Sequence, residues 1–425
     1  MRERMARHVV ALMAILATTL VAAKPALATS STADWPTIQG DLGRTGFRGE
    51  IDGPGDGSVV WKAETDDLVI RTPPAAANGR VFVVTHGGTI YALKARTGEV
   101  DWTNRGTAQV STGAVVSGGL VYVADEGGTL RAVDESTGRA VWNRTFGARP
   151  WTPSACDDVL YFGVRGQLLA LDAETGGTHW TRDLATILGQ KRSTSTSGPP
   201  LCLGDSIIFG TSAETVTAVD RREGALLWSG SIDGDAYGPL ATDGTAIYAG
   251  TQRGSLHALD ASNGSSLWVH HTDFDGVRPP SVSGGVVYRT GFEHVFAVDA
   301  RTGVERWSYR LPSGSDTHVT LTPTAAIYAS HDGSVTALSV ANGTPIWSRR
   351  IAAFIGDSTP IVVDGFLYVG TEQYRVFALD AGADVPDQEQ PSVPAQRPPR
   401  NVDSPTPSMI ATALLVAFGL MRRQR

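Results

Sequence analysis

Cysteine is nearly absent from this chain: two in 425 residues, Cys156 and Cys202. That scarcity excludes a Cys-x-x-Cys-His haem site, and no cysteine stands near residue 28 to carry the lipid of a bacterial lipoprotein. Charge is sparse too, with Asp, Glu, Lys and Arg making up 19% of the residues, against about a quarter in an ordinary soluble chain. The balance is acidic. Setting aside the net +3 of residues 1–28 and the net +3 of residues 409–425 takes the formal charge from −7 to about −13, which excludes a nucleic-acid binder. What the chain has in quantity is glycine, 48 residues, together with ten tryptophans.

The tryptophans fall in a pattern. A segment close to the form A-x-D-x-x-T-G-x-x-x-W recurs about every forty residues, with full-length copies at 92–102, 132–142, 170–180, 218–228, 258–268, 297–307 and 337–347. An eighth begins at Ala378 and stops. Ahead of each copy lies an apolar run such as 81–84 or 120–123, then a polar turn, then a second run entering the motif. Period-two apolar runs broken by Gly, Asn and Asp are hairpin signals. Units of this length with about four short strands, repeated in tandem, are blades of a β-propeller rather than turns of a helical solenoid.

Each motif position has a physical reading. The glycine (Gly98, Gly138, Gly176, Gly303) suits a hairpin turn with positive φ, and Asn263-Gly264 and Asn342-Gly343 do the same. The aspartate (Asp134, Asp172, Asp220, Asp260, Asp299, Asp380) can accept hydrogen bonds from turn amides, and the alanine leaves room for a neighbouring sheet. The docking tryptophans Trp102, Trp142, Trp180, Trp228, Trp268, Trp307 and Trp347, with Trp61 upstream, are large enough to fill the wedge between blades. Truncating one is expected to cost about 3–5 kcal/mol.

The two ends complement each other. The eighth copy lacks its Trp, whereas residues 58–62, Ser-Val-Val-Trp-Lys, form a Trp-bearing strand with no repeat before it. Joining them predicts an all-β, eight-bladed propeller of four-stranded antiparallel blades over residues 58–384, its last blade closed by the N-terminal strand. Such closure leaves no open array of sheet edges.

Outside the repeats, residues 1–28 carry Arg2, Arg4 and Arg7, an apolar run and then Ala26-Leu27-Ala28, the layout of a secretory signal; an uncleaved anchor is the alternative. Residues 29–57 form an N-terminal segment. Residues 385–408 are rich in proline and read as a semi-rigid linker. Residues 409–420 hold twelve uncharged, mostly apolar residues before Arg422, Arg423 and Arg425, short of the roughly twenty of a usual span. Residues 409–425 therefore read as a hydrophobic anchor or a sorting tail with a basic end. The expected location is exported, extracellular or at the cell surface, and membrane-tethered through this tail.

Cys156 and Cys202 stand at nearly equivalent places in the third and fourth units. In an oxidising compartment they can pair; if they face different layers they cannot. Three sequons, at Asn143, Asn263 and Asn342, are permissible on an exported surface, although the last two asparagines also suit their turns.

The tandem motif, with preceding strands Ile247-Tyr248-Ala249-Gly250-Thr251 and Leu367-Tyr368-Val369-Gly370-Thr371, resembles the pyrroloquinoline-quinone (PQQ)-like propeller repeat family. The opening, Trp35-Pro36 through Gly40-Asp41 to Arg44-Thr45-Gly46, is similar to a segment many such proteins carry before the first blade. The resemblance covers about 350 residues and is specific for fold rather than activity. It implies one of two branches: quinone-dependent dehydrogenases, or non-catalytic relatives that include the lipoprotein assisting outer-membrane barrel assembly. The dehydrogenase branch uses a disulfide of adjacent cysteines, a calcium site and a carboxylate base. Here the cysteines lie 46 residues apart and no calcium loop is recognisable, so no cofactor, no metal and no catalytic residue is expected; PQQ with calcium belongs to the alternative, a quinoprotein oxidoreductase.

The expected function is a non-enzymatic scaffold, monomeric, binding a protein or a cell-surface glycan through its inter-blade loops. The longest such loop is 184–198, and long loops on rigid scaffolds favour binding. Candidate partner-binding residues on that face are Arg149, Trp151, Lys191, Arg192, His270, His271, Arg278, Arg349 and Arg350. The plainer reading of these charges is ordinary solvated loops, partly offset by Asp183, Asp233, Asp235, Asp273, Asp275, Asp316 and Asp357.

Overall fold

A computed structural model describes residues 55–69, 73–190, 194–236, 238–272 and 278–382. The signal, linker and tail readings, and Lys191 and Arg192, lie outside the described residues.

The repeats fold as eight four-stranded antiparallel sheets, seven of them meanders in chain order. In the first blade the strands are Ala75–Ala77, Arg80–Val84, Ile90–Lys94 and Val100–Asn104. The first strand of each blade is short and buried, as in Ala75–Ala77, and the fourth is half open to solvent, as in Val100–Asn104. First strands of neighbouring blades approach one another, so they ring the axis while the Trp-bearing strands form the rim. Helix is nearly absent: among the described residues it is confined to Leu184–Ile187, whose first turn is capped by Asp183 accepting from the Thr186 amide at 2.7 Å.

The last blade consists of Ile361–Val363, Phe366–Thr371 and Arg375–Asp380, with Val59–Glu64 as its outer strand. Trp61 stands opposite Ala378, as Trp102 stands opposite Ala92 and Trp142 opposite Ala132. The motif alanine thus sits across from the tryptophan of its own sheet, and the register shifts just beyond it. The room the alanine leaves is for that bulky cross-strand neighbour.

The tryptophan then reaches the next blade in two ways. Its indole N–H donates to the carbonyl one residue past the third motif position, whether that position is an aspartate (Asp134, Asp172) or is filled by Lys94 or Ser339: Trp61 to Ala95 at 2.8 Å, Trp102 to Glu135 at 2.9 Å, Trp142 to Ala173 at 3.0 Å, Trp307 to Val340 at 3.0 Å. Its ring lies on the motif glycine. A Cβ on Gly98 would come within 2.5 Å of the Trp61 ring, and one on Gly138 within 2.4 Å of Trp102. Glycine is therefore required twice, by a φ of +72° or +69° and by the ring above it. The expectation that its role was turn geometry alone is corrected.

The aspartate behaves as its position predicts. Asp134 Oδ1 accepts from the Thr137 amide at 2.8 Å and Asp172 Oδ1 from the Thr175 amide at 2.8 Å. These bonds, led by the Ser136 hydroxyl for Asp134 and the Thr175 hydroxyl for Asp172, hold both carboxyls below the usual range.

The eighth motif proves to be complete but divided between the chain ends. Gly57, four residues before Trp61 as Gly98 is before Trp102, lies under Trp347, where a Cβ would come within 2.6 Å. Its amide donates to the Asp380 carbonyl at 3.1 Å, and the Asp56 amide donates to Asp380 Oδ2 at 3.0 Å. The closing segment therefore begins at Asp56, ahead of the expected boundary at 58.

Candidate partner-binding mouth

Antiparallel order separates two faces. The Thr-Gly turns lie on one; each fourth strand runs away from them, so the crossings between blades gather on the other. There they surround the axis and leave a cavity of about 180 Å³ whose lining includes Pro73, Thr112, Trp151, Pro199, Pro239, Pro279, His318 and Asp357, so that all eight blades contribute. Proline recurs at these entries, where the chain turns from a crossing into a first strand and no ladder donor is needed.

Of the sequence-predicted residues, Arg149, Trp151 and Arg278 line this mouth. The Arg149 guanidinium lies 5.2 Å from the Trp151 ring centroid, donates to Ser111 Oγ at 2.7 Å and pairs with Glu126 at 2.9 Å. Burial pushes the Glu126 carboxyl up, but the Ser111 hydroxyl and Arg149 together bring it below its ordinary value. Arg278 pairs with Asp316, which also accepts from His331 Nε2 at 2.9 Å.

The remaining candidates are not gathered with these. Arg349 and Arg350 end the outer strand Pro345–Arg350, both exposed. His271 ends the strand Ser266–His271, where its Nδ1 lies 2.9 Å from Ser255 Oγ; that hydroxyl in turn lies 2.5 Å from Asp233, which also holds His257 at 2.7 Å. His270 is turned inward.

Its partner is a residue that sequence reading missed. Arg289 is wholly buried between the fifth and sixth blades, donating to His270 Nδ1 at 3.2 Å and to the Gly254 carbonyl at 3.4 Å, with its guanidinium 4.8 Å from the Phe296 ring centroid. Burial draws its pKa down to about 10. Burial, then the charge of Arg289, also lowers the pKa of His270. The one available signal was an arginine in Val-Val-Tyr-Arg-Thr where every other blade carries an uncharged residue, valine, phenylalanine, alanine or tyrosine.

Cys156 and Cys202 are joined as a disulfide, with Cα atoms 6.4 Å apart. They staple the first strand of the third blade, Ser154–Cys156, to that of the fourth, Leu201–Leu203. Between these two blades runs the longest crossing.

Neither the axial cavity nor the cysteines fit pyrroloquinoline quinone. A space of about 180 Å³ falls below the roughly 300–1,000 Å³ of small-molecule sites, and the disulfide spans two blades instead of joining adjacent residues. A wider groove of about 540 Å³ opens on the Thr-Gly face between the third and fourth blades, lined by Asp157, Tyr161, His179, Trp180, Asp205, Arg221 and Arg222. Among the described residues no group of three or more His, Cys, Asp or Glu side chains is placed to hold a metal ion, and no helix is long and apolar enough to cross a membrane.

An eight-bladed propeller, locked by tryptophans and closed by its own N-terminal strand, is the class that fold and mouth define. Within it, the chain belongs to the family described as outer membrane protein assembly factor BamB, whose profile matches residues 51–270 and 212–395. It is 27% identical over 235 residues to that factor from Yersinia pestis, covering 51% of this chain and 50% of that protein. Against the Vibrio cholerae factor the identity is 36% over 184 residues, 40% of this chain and 46% of that one. The chain thus aligns with about half the length of these relatives. In fold it is similar to BamB from Moraxella catarrhalis, with TM-score 0.65 and 18% identity over 76% of this chain and 97% of that one. It is also similar in fold to the quinohemoprotein alcohol dehydrogenase of Comamonas testosteroni, with TM-score 0.70 and 16% identity over 85% and 82%. At such identities the likeness is one of fold.

Proposed function

We propose that this protein is an exported, membrane-tethered, non-enzymatic scaffold whose mouth holds a protein partner, as an assembly factor would. The observation that carries the reading is the construction of the mouth. Segments from all eight blades, some charged and one bearing a partly exposed Trp151, converge on a cavity of about 180 Å³, and loops on a rigid ring are where binding residues concentrate. Membership of the assembly-factor family supports a protein as the partner; a surface glycan is the other occupant such a rim could take.

Site-specific photo-crosslinking in the native cell tests this. A photoreactive residue at Trp151 should give discrete protein adducts, and one at Asn263, on the Thr-Gly face, should give none. Adducts at Asn263 alone would contradict the reading.

A further inference from the structure

The sector of the rim formed by blades six to eight differs from the rest. Among the described residues, the large apolar side chains open to solvent are mostly aliphatic and lie on the outer strands; the two aromatic ones are Phe292, 54% exposed, and Tyr374, 50% exposed. Both stand on turns between a second and a third strand, on the mouth side, in blades six and eight. His331, from the matching turn of blade seven, lies between them. Its ring is 5.3 Å from that of Phe354 and nearly parallel, and 6.1 Å from that of Phe292. The Ala353 amide donates to Gln373 Oε1 at 3.4 Å, which carries the ridge on to Tyr374.

Two further observations mark this ridge. Tyr374 has a φ of +57° at a turn position occupied by glycine in four other blades (Gly88, Gly128, Gly254, Gly333), and a bulky residue held in that region is a strained choice that tends to serve function. The charges around the ridge leave an acidic excess as well: Asp332 is met by Arg350 and Arg375 by Glu64. Arg278 is matched by Asp316 and Arg310 by Glu293, whereas Asp357 and Glu372, both felt electrostatically by His331, make no ion pair among the described residues.

We infer that the Phe292–His331–Phe354–Tyr374 ridge is a second docking surface, and that it takes a basic peptide segment. Arginine and lysine side chains are attracted to aromatic faces, and unpaired carboxylates beside those faces supply the complementary charge and a salt-sensitive encounter. The inference does not rest on the mouth reading: the four ridge side chains lie outside the mouth lining, and of the two unpaired carboxylates only Asp357 borders both.

The test uses the full-length protein and fluorescein-labelled decapeptides of alternating arginine and glycine, alternating glutamate and glycine, and serine and glycine, followed by fluorescence anisotropy. The arginine peptide should bind in preference to both others. Binding should weaken about tenfold or more in Phe292→Ala/Tyr374→Ala and in Asp357→Asn/Glu372→Gln, weaken again in 0.5 M salt, and stay unchanged in Arg149→Ala/Trp151→Ala. Thermal melts of each variant verify folding; all four ridge positions are at least partly exposed, so the melts should match wild type. Absence of arginine-peptide binding, equal binding of all three peptides, or binding untouched by both ridge variants would overturn the inference. So would a concentration-dependent dimer, seen by sedimentation, that Phe292→Ala dissolves, since the ridge would then belong to a second copy of the chain.

Discussion

The two faces of the ring are built on opposite rules. On the Thr-Gly face the same contact is made at every junction, a tryptophan ring on a glycine, and in most blades an aspartate folds the turn beneath. On the mouth face the described segments differ from blade to blade: a capped four-residue helix after blade three, a cation stacked on Trp151 after blade two, an aromatic ridge over blades six to eight. Repetition marks what holds the molecule together, and variation marks where it meets something else.

The comparison breaks first at ring closure. A variant beginning at Thr72 loses the outer strand of blade eight and the glycine under Trp347, and exposes the edge of Arg375–Asp380. It should lose cooperative unfolding or aggregate, while one beginning at Asp34 stays folded; equal thermal stability and monodispersity of the two would refute the closure account. Next in size is one repeated contact. Gly138→Ala places a methyl against the Trp102 ring at a φ of +69°, and Trp102→Ala opens a cavity. Each should cost about 3–5 kcal/mol in denaturant unfolding, against about 5–15 kcal/mol for a typical domain.

The staple beside the longest crossing comes third. Closing a loop of 46 residues stabilises by up to about 4 kcal/mol in the chain-entropy account. Replacing both Cys156 and Cys202 by serine should lower the denaturant midpoint by no more than that, and reductant should lower the wild type alike; a mass unchanged by reduction and alkylation would remove the bond altogether. A smaller, pH-dependent effect belongs to His270. Its pKa is lowered in the fold by burial and by Arg289, so the neutral form is the one the fold favours. The stability this confers is present above the ordinary histidine value, about 6.5, and is lost as pH falls below it. The carboxylates with lowered pKa, such as Asp134 and Asp172, act in the same direction but only nearer pH 4. His270→Gln, which keeps an acceptor for Arg289 and does not titrate, should flatten the stability profile between pH 7 and 5. The smallest effect on stability is expected at the mouth, where Trp151→Ala should cost under about 1 kcal/mol while abolishing the crosslinked adducts.

How far each face was legible follows from the same rule. The Thr-Gly face was readable because a contact repeated around the ring leaves a period in the sequence, and period is what pattern reading detects. Even there, the glycine's place under the ring of the preceding blade was hidden, because the residues involved, such as Trp61 and Gly98, are far apart in sequence and meet only across a blade junction. Gly57 was missed for a related reason: its half of the motif lies more than three hundred residues from Asp380. The mouth was only partly readable. Arg149, Trp151 and Arg278 were placed on it by counting crossings, but His270 was put there too, because nothing local announces that Arg289 enters the core and draws that imidazole inward. The ridge left no periodic trace, since Phe292 and Tyr374 occupy turn positions that other blades fill differently and Phe354 lies in a crossing.

The claim that the mouth serves a macromolecular partner and not a quinone is tested most directly by calorimetric titration of the purified exported protein with pyrroloquinoline quinone, with and without calcium, followed by a dye-linked alcohol oxidation assay. The account predicts no heat of binding and no turnover. Tight binding with turnover would contradict it and assign the propeller to oxidoreductase chemistry.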